Sequence, residues 1–357
     1  MRTSSLLRLV VLTCAAATFL FAAATDGMVS GKAPLKSAGP LAFGPDAVLF
    51  VGDSAGAQVV AIDTNDRAAS GAAAAFEIKG INQKIAAMLG TTADQILVND
   101  AVVNPISKKI YLSVSRGRGP DAMPVILRVD AEGNISELPL TNAKFSTVAI
   151  ADAPSEAKTR MQTITEVRYV DGKVLVAGLS NEEFSSNMRS IPFPFAQAAK
   201  GASIEIYHGS HGQFETNSPV RTFVPVTIKN QQYILAAYTC TPLVKIPVSE
   251  LKAGAKVKGT TIAELGAGNR PLDMITYKKD GHDYILMANS ARGVMKVDAA
   301  HLETYSAITM PTDITGVPYK NVENWKGVVQ LDKMDDKIAM VLQDSGGSLD
   351  LRGIAFP

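Results

Sequence analysis

The chain has 357 residues, of which 46% are hydrophobic and 19% are charged, so its composition is that of a folded globular protein and excludes wholesale disorder. The 35 Lys and Arg residues balance 34 Asp and Glu residues, which leaves no charge excess for nucleic acid or an anionic membrane surface as the main partner. The two cysteines are too few for a disulfide-rich scaffold.

Residues 1–24 have the arrangement of a secretory signal peptide. Arg2 and Arg8 precede an apolar run, and Ala22 and Ala24 occupy the small-residue positions before a cleavage site. The run is shorter than the roughly 20 residues that a membrane span requires, and no other segment of the sequence approaches that length. We therefore expect a cleaved signal peptide and export to the periplasm or the extracellular space.

The mature chain then consists of a short leader and one domain. Cleavage removes Cys14, so Cys240 is the only remaining cysteine and no intramolecular disulfide forms. Lipidation at Cys14 is the alternative to cleavage. We expect residues 25–36 to be a flexible leader and residues 37–357 to be a single domain.

A pattern of apolar segments separated by tight polar turns recurs six times in this domain. Each copy has β-branched and aromatic residues at strand positions and Gly, Asn, Asp or Pro at the turns, as antiparallel hairpins require. The copies cover residues 41–63, 101–130, 167–208, 226–248, 274–298 and 328–354. Three clear strands and a weaker fourth per copy predict an all-β fold, a six-bladed β-propeller, with seven blades as the alternative.

Three segments differ from this pattern. Residues 68–75 are Ala-rich and predict a flexible connector, and residues 80–89 have apolar residues at helical spacing. Residues 184–200 contain Pro192 and Pro194, which predict a long connection without a regular strand or helix.

Acids recur at one position of the repeat. Asp100, Glu166 and Asp273 stand at the start of the first strand in three copies. Because the first strands of propeller blades line the central channel, we expect these acids to converge at one channel mouth. The antiparallel second strands return to the same mouth, and the residues at their ends are Asp53, Ser115, Asn181, Cys240, Asn289 and Asp344. Such oxygen donors suit calcium, but acids at strand starts also bind neighbouring backbone amides or remain solvated.

The first two copies carry a family resemblance. Residues 39–63 (GPLAFGPDAVLFVGDSAGAQVVAID) and 99–115 (NDAVVNPISKKIYLSVS) resemble repeats of NHL-type and SMP-30/gluconolactonase-like propellers. These repeats share an opening strand, a Pro-Asp or Asp-Gly turn, and a second strand that ends near Asp or Asn. The WD-type signature is missing.

The resemblance to these lactonases implies a divalent metal, calcium or zinc, at the channel mouth. By resemblance, its candidate ligands are Glu166, Asp273 and Asp100, with Asn99 or Asn289 as further candidates. In such an enzyme the metal polarises an ester carbonyl and activates water. Glu166 and Asp273 would then be the catalytic residues.

His208, His211 and Glu215 form a second candidate site. The H-x-x-H spacing followed by an acid can ligate zinc or copper, and the alternative is an ordinary polar turn. The alignment of the copies places His208 at the end of a third strand, on the face opposite the acids. We therefore expect this site to be separate from the acid ring.

Three further residues are expected on loops at the acid-bearing mouth. Arg116 and Arg292 are candidates to clamp a carboxylate or phosphate of a ligand, or else they pair with the acids. Cys240 has no predicted histidine on its face to activate it, which favours packing or soft-metal binding over nucleophilic catalysis.

Three functions are therefore open. The leading hypothesis is an exported binding or scaffold protein that recognises a small molecule or a protein partner at the mouth and over residues 181–200, without nucleic acid or a membrane span. The alternative is a metal-dependent lactonase or esterase that uses the acid ring. The third is metal binding through the H-x-x-H turn; without a metal, no cofactor is expected.

Overall fold

The computed structural model describes residues 24–198, 200–240 and 242–357, so the expected signal peptide lies outside the described residues except for Ala24. The described chain is mostly strand, with two short α-helices and a few 3-10 turns. None of its helices combines the length and the apolar character needed to cross a membrane.

The first part of the chain supplies most strands of three blades and one strand, β5, of a fourth. Its elements are β1 (Val29–Gly31), β2 (Leu41–Phe43), β3 (Val48–Asp53), β4 (Gln58–Asp63), β5 (Phe76–Ile78), α1 (Ile81–Leu89), β6 (Ile96–Val103), β7 (Ile110–Arg116), β8 (Met123–Val129), β9 (Ile135–Glu137), β10 (Ala143–Ala149), α2 (Ala157–Arg160), β11 (Glu166–Val170), β12 (Lys173–Leu179), β13 (Ser186–Pro192), β14 (Ala202–His208) and β15 (Gln213–Glu215).

The second part builds the other three. Its strands are β16 (Thr222–Ile228), β17 (Gln231–Ala237), β18 (Pro242–Pro247), β19 (Lys256–Lys258), β20 (Thr260–Leu265), β21 (Pro271–Lys279), β22 (His282–Asn289), β23 (Gly293–Asp298), β24 (Ile314–Gly316), β25 (Tyr319–Asn321), β26 (Val328–Lys333), β27 (Ile338–Asp344) and β28 (Leu349–Ala355).

Six sheets form the six blades, which confirms the predicted six-bladed β-propeller. From the inner strand outward, blade 1 is β2-β3-β4-β10-β1, blade 2 is β6-β7-β8-β9, and blade 3 is β11-β12-β13-β14-β15 with β19 beside β14. Blade 4 is β16-β17-β18-β20-β24, blade 5 is β21-β22-β23-β25, and blade 6 is β26-β27-β28-β5. We call the face where the inner strands begin the upper face and the opposite one the lower face.

The blades do not follow one another around the ring in chain order. The inner strands contact each other in the sequence β2, β6, β26, β21, β16, β11 and back to β2. Blade 2 therefore lies between blades 1 and 6, and blade 3 lies on the other side of blade 1. Six apolar clusters among the described residues join the same six neighbouring pairs of blades. Their burial supplies the main driving force for closing the ring.

Two strands that leave their sequence neighbours close the ring. After blade 1, residues 64–75 pass blade 2, where the Ser70 N–H donates to the Ile106 carbonyl, and β5 then completes blade 6 beside β28. After blade 2, β10 returns to pair with β4 in blade 1. β1 pairs with β10, so part of the expected flexible leader is an edge strand.

The segment predicted as a long connection contains a strand. β13 occupies Ser186–Pro192 and pairs along its whole length with β12. The prediction for residues 184–200 is wrong because Pro192 is the last residue of the strand, where a missing N–H costs little. Residues 80–89 form the expected helix, α1, over Ile81–Leu89.

Turn chemistry explains the hairpins of three blades. The two-residue loops Asp171-Gly172, Lys229-Asn230 and Asp280-Gly281 all have positive φ at both positions. These are the dihedral angles of type I′ turns, whose twist matches that of the flanking strands. The hairpins therefore set the register of β11-β12, β16-β17 and β21-β22.

The pairing of β5 with blade 6 can be tested at Gly353. A Cβ atom on Gly353 would lie 2.5 Å from the ring of Phe76 in β5. We expect Gly353→Val to lower the free energy of unfolding by about 1–3 kcal/mol, because the added side chain forces the closing strand away. Denaturant unfolding measures the loss. Gly71→Val, at an exposed connector position with open space around it, is the matched control, and equal stability of both variants would contradict this closure.

Candidate functional site

The three acids predicted to converge at the upper mouth converge instead inside the channel, where they are buried around an arginine. Arg168 on β11 reaches into the channel, where its Nη1 lies 2.8 Å from Glu166 Oε1 and its Nη2 lies 3.0 Å from Asp273 Oδ1. Asp100 and Asp332 also belong to this group, since their charges act on Arg168. We call these four carboxylates and Arg168 the channel cluster.

The carboxylates of the channel cluster bind backbone amides of neighbouring blades. Oδ2 of Asp100 accepts a hydrogen bond from Leu41 N at 2.7 Å, which links blade 2 to blade 1. Oδ2 of Asp273 accepts from Leu331 N at 2.7 Å, which links blade 5 to blade 6. The inner strand of a blade has a free edge with unpaired N–H groups, and these carboxylates satisfy them.

Asp332 continues the same arrangement. Its Oδ2 accepts from Val103 N at 2.6 Å, which links blade 6 to blade 2. The other oxygen of each aspartate accepts the N–H of the residue that follows it in the chain. Three aspartates thus connect blades 5, 6, 2 and 1 in one rotational direction.

β-Bulges aim these side chains into the channel. The inner strands of blades 2, 5 and 6 shift register between Val98 and Asp100, between Pro271 and Asp273, and between Val328 and Gln330. A bulge rotates the next side chain relative to the regular alternation. Gln330, with its amide nitrogen facing the carboxylates, donates to Asp100 Oδ1 at 2.9 Å and to Asp273 Oδ2 at 3.1 Å.

The four carboxylates around the Arg168 guanidinium, three of them buried and Asp332 half-buried, have shifted pKa values. Burial raises the pKa of Glu166 to about 7, against the opposing charge of Arg168 and with a further rise from Asp100. Burial also raises the pKa of Asp332 to about 6 and that of Asp273 well above its usual value. Burial lowers the pKa of Arg168, but the surrounding carboxylates outweigh this and raise it. The channel cluster therefore holds protons near neutral pH.

Three members of this arrangement were missed from the sequence: Arg168, Asp332 and Gln330. Arg168 stands two residues after Glu166, and period-2 alternation puts both on the same face of a strand. Asp332 likewise stands two residues after Gln330. Gln330 follows a bulge just as Asp100 and Asp273 do, but it is an amide, so a pattern of recurring acids does not reveal it.

The acids bind neighbouring backbone amides, which was the alternative to a calcium site, and they also bind Arg168. A calcium ion requires six to eight oxygen ligands. Oε1 of Glu166 and Oδ1 of Asp273 accept hydrogen bonds from Arg168 instead. A metal at this position would have to displace the guanidinium.

Two cavities lie on the two sides of the channel cluster. The lower cavity has a volume of about 450 Å³, and Asp100, Asp273, Asp332 and Arg168 line it together with Lys108 and other residues. The upper cavity has a volume of about 530 Å³, and its lining includes Asn99, Ser115, Thr165 and Gln330. Both volumes are those of small-molecule sites.

The upper cavity has a basic rim. Arg118, Arg221 and Arg270 line it, and the described lining contains no Asp or Glu. Arg118 is held by its Nε, which donates to the Asp94 carbonyl at 2.8 Å, and Arg221 by its Nε, which donates to Thr239 Oγ1 at 3.0 Å. Burial lowers the pKa of Arg221, and the charge of Arg270 lowers it further.

Of the other residues predicted at this mouth, some line the upper cavity and some do not. Asn99 donates from Nδ2 to the Ala38 carbonyl at 2.7 Å and to Ser115 Oγ at 2.9 Å, and it lines the upper cavity. Asn289 instead accepts a hydrogen bond from Asn269, and Arg292 donates to the Ala267 carbonyl. Neither they nor Arg116 line the upper cavity.

Asp53 and Asp344 hold local backbone. Asp53 binds the N–H groups of Lys36 and Ser37, and Asp344 binds that of Gly347. The strand ends therefore share a face of the propeller without forming a common ring of ligands.

The histidines lie on the upper face, not on the opposite one as the alignment predicted. The error follows from the missed strand β13, because the strand ending at His208 is the fourth of blade 3 and runs in the opposite direction to a third strand. His208, His211 and Cys240 offer ligand atoms that all lie within 4.8 Å of one another. The expectation that Cys240 has no histidine on its face is therefore wrong.

Glu215 joins these histidines. Its Oε2 lies 3.0 Å from His208 Nδ1 and its Oε1 lies 2.5 Å from His211 Nδ1. Ser218 Oγ donates to Glu215 Oε2 at 2.7 Å. The predicted grouping of His208, His211 and Glu215 is thus present in space, with Cys240 added from blade 4.

Comparison with known proteins assigns no family to the chain. No protein-family model matches the chain, and no curated protein is significantly similar to it in sequence. Similar solved structures include a glucose dehydrogenase, at 10% identity over 92% of this chain and 99% of that one, with a TM-score of 0.38. The apo form of the soluble aldose sugar dehydrogenase from Escherichia coli is 11% identical over 91% and 98%, with a TM-score of 0.35. YCF48 from Cyanidioschyzon merolae is 10% identical over 91% and 98%, with a TM-score of 0.36.

The β-propeller is shown by the six sheets of the structure itself, and no family model supports the NHL or SMP-30 families in particular. The similarity is too low to transfer an activity from any of these proteins.

The shifted pKa of Glu166 predicts a pH-dependent stability. Its pKa is about 7 in the folded chain against 4.5 as the reference value, so between these values the unfolded chain loses the proton that the folded chain keeps. The contribution of Glu166 to stability is therefore complete below about pH 4.5 and is lost as the pH rises through 7.

We expect Glu166→Gln to approach and then exceed the wild type in melting temperature as the pH rises from 5 to 8, by a few degrees overall. Glu183→Gln, at an exposed position, is the control and should track the wild type. A constant difference between Glu166→Gln and the wild type across this range would contradict the buried protonated state.

Proposed function

We propose that this propeller is an exported binding protein that takes a small anionic molecule, a carboxylate or phosphate, at its upper channel mouth. The observation that carries the proposal is the lining of the upper cavity. Three arginines line it, and none of the described residues that line it is Asp or Glu. Export is part of the proposal and is supported by the signal-peptide pattern of residues 1–24.

The arginines are placed for an incoming anion. Within the described part of the chain, none of Arg118, Arg221 and Arg270 forms an ion pair with a carboxylate. A guanidinium carries five N–H donors, and the hydrogen bonds to Asp94 and Thr239 use few of them. The remaining donors suit charge-assisted hydrogen bonds to a carboxylate or phosphate.

Electrostatics also favour an anion here. Arg221 is half-buried and lies close enough to Arg270 for the two positive charges to repel. A bound anion would relieve this repulsion. The lower mouth, by contrast, is rich in aspartates, which favours the upper mouth for a negatively charged ligand.

The floor of the upper cavity supplies neutral polar groups. Asn99, Ser115, Thr165 and Gln330 lie there, and amides and hydroxyls both donate and accept hydrogen bonds. A ligand with hydroxyl groups beside its anionic group would satisfy both parts of the cavity. This combination supports a small polar acid rather than an apolar molecule.

Binding can be measured with inorganic phosphate, citrate and neutral glucose as probes. We expect phosphate or citrate, but not glucose, to raise the melting temperature in a saturable manner that weakens with added NaCl. Arg221→Gln and Arg270→Gln should each weaken the affinity by about 10-fold or more, because each removes a charge-assisted hydrogen bond.

Arg67→Gln is the matched control, since Arg67 pairs with Asp63 at the lower end of blade 1, outside the upper cavity. It should bind the probes as the wild type does. Equal binding of glucose and citrate, or unchanged affinity in both arginine variants, would overturn the proposal.

A metal-dependent lactonase or esterase is the second candidate. Asp100 and Asp273 line the lower cavity and have raised pKa values, which suit general acid–base chemistry near neutral pH. The test is the metal content of protein purified without chelator, followed by a panel of lactones with Glu166→Ala and Asp273→Ala. Absence of bound metal, together with no effect of chelator on the melting temperature, would remove this candidate.

A further inference from the structure

A group of nitrogen and sulfur ligands lies on the upper face, away from both cavities. His208 ends β14, His211 follows in the turn before β15, and Cys240 follows β17 of the neighbouring blade 4. The β14-β15 pairing sets Glu215 opposite Ile206 and so returns its carboxylate to the histidines. We call His208, His211, Cys240 and Glu215 the His-Cys cluster.

One carboxylate orients both imidazoles. The two oxygens of Glu215 face the Nδ1 atoms of His208 and His211, at 3.0 Å and 2.5 Å. The two rings lie 3.8 Å apart at 35° to one another. With protons on both Nδ1 atoms, each ring presents the lone pair of its Nε2, which is the form that binds a metal. Carboxylates that hold histidines in this way are typical of protein metal sites.

One ring nitrogen of His208 is buried without a hydrogen-bond partner among the described residues. Its side chain is 2% exposed, its Nδ1 faces only Glu215 Oε2 at 3.0 Å, and its Nε2 has no hydrogen-bond partner within the described residues. Buried polar atoms without a partner are rare and costly. A metal bond from His208 would supply the missing partner.

A second carboxylate lies next to the cluster. Glu264 is fully buried, its Oε1 accepts the N–H of Gly209 at 2.5 Å, and its Oε2 has no hydrogen-bond partner among the described residues. Gly209 follows His208 directly, so this carboxyl group lies beside the same turn. The carboxylate that contacts the histidines themselves, and would stabilise a bound cation, is that of Glu215.

We propose that the His-Cys cluster binds one thiophilic transition-metal ion, zinc or copper, through His208, His211 and Cys240. Metal–ligand bonds to nitrogen and sulfur measure about 2.0–2.3 Å, and ligand atoms within 4.8 Å of one another can reach a common ion with small movements. Nitrogen and sulfur donors select zinc or copper, whereas calcium and magnesium take oxygen ligands. Glu215 is a positioning residue that orients the two imidazoles.

The test uses metal-stripped mature protein titrated with Co²⁺, Zn²⁺, Cu²⁺ and Ca²⁺ and followed by absorption and melting temperature. We expect one Co²⁺ per chain, with a thiolate charge-transfer band that Cys240→Ser abolishes. His208→Gln and His211→Gln should lower the affinity at least about 100-fold, and Glu215→Gln about 10- to 100-fold.

The remaining measurements distinguish the two ions. Displacement of Co²⁺ by Zn²⁺ assigns zinc, whereas a stable Cu²⁺–thiolate band that excess Zn²⁺ does not remove assigns copper. His282→Gln, at an exposed hairpin position, is the control and should bind as the wild type does.

His211→Gln and Cys240→Ser alter side chains that are not fully buried, so they keep the proposal testable if His208→Gln fails to fold. Less than one ion per chain, wild-type affinity in both of these variants, or equal competition by Ca²⁺ would overturn the site. These outcomes are independent of anion binding at the upper cavity.

Discussion

The structure depends on how the free edges of its inner strands are satisfied. In each blade the innermost strand pairs on one side only, so its remaining N–H groups face the channel. Asp100, Asp273 and Asp332 each accept one such N–H from the next blade. The same carboxylates therefore complete the backbone hydrogen bonding and hold blades 5, 6, 2 and 1 together.

This arrangement brings several carboxylates close together, and the positive charge of Arg168 offsets their mutual repulsion. Its guanidinium contacts Glu166 and Asp273 directly, and burial with mutual repulsion keeps part of the cluster protonated. The channel cluster lies between the upper cavity, which has a basic rim, and the lower cavity, which is rich in aspartates. This difference in charge between the two mouths is the electrostatic basis of the proposed anion site at the upper one.

Much of this arrangement was predictable from local pattern. Period-2 alternation and turn residues predicted six blades, and the repeat position of Asp100, Glu166 and Asp273 predicted their convergence. The strand β13 was missed because two prolines suggested a loop, although Pro192 only ends the strand. That single error reversed the direction of the strand ending at His208 and so placed the histidines on the wrong face. Gln330 stands after the same kind of bulge as Asp100 and Asp273, and it was missed because a search for recurring acids passes over an amide.

The sequence by itself determined the all-β class, the number of blades and three of the four acids of the channel cluster, because these follow from residue types and spacings within one hairpin. Tertiary structure alone decided which blades are neighbours, since the order β2, β6, β26, β21, β16, β11 depends on contacts between strands far apart in the chain. It also decided that Cys240 of blade 4 meets His208 and His211 of blade 3. Such a meeting depends on strand direction and blade packing, which no local spacing of residues records.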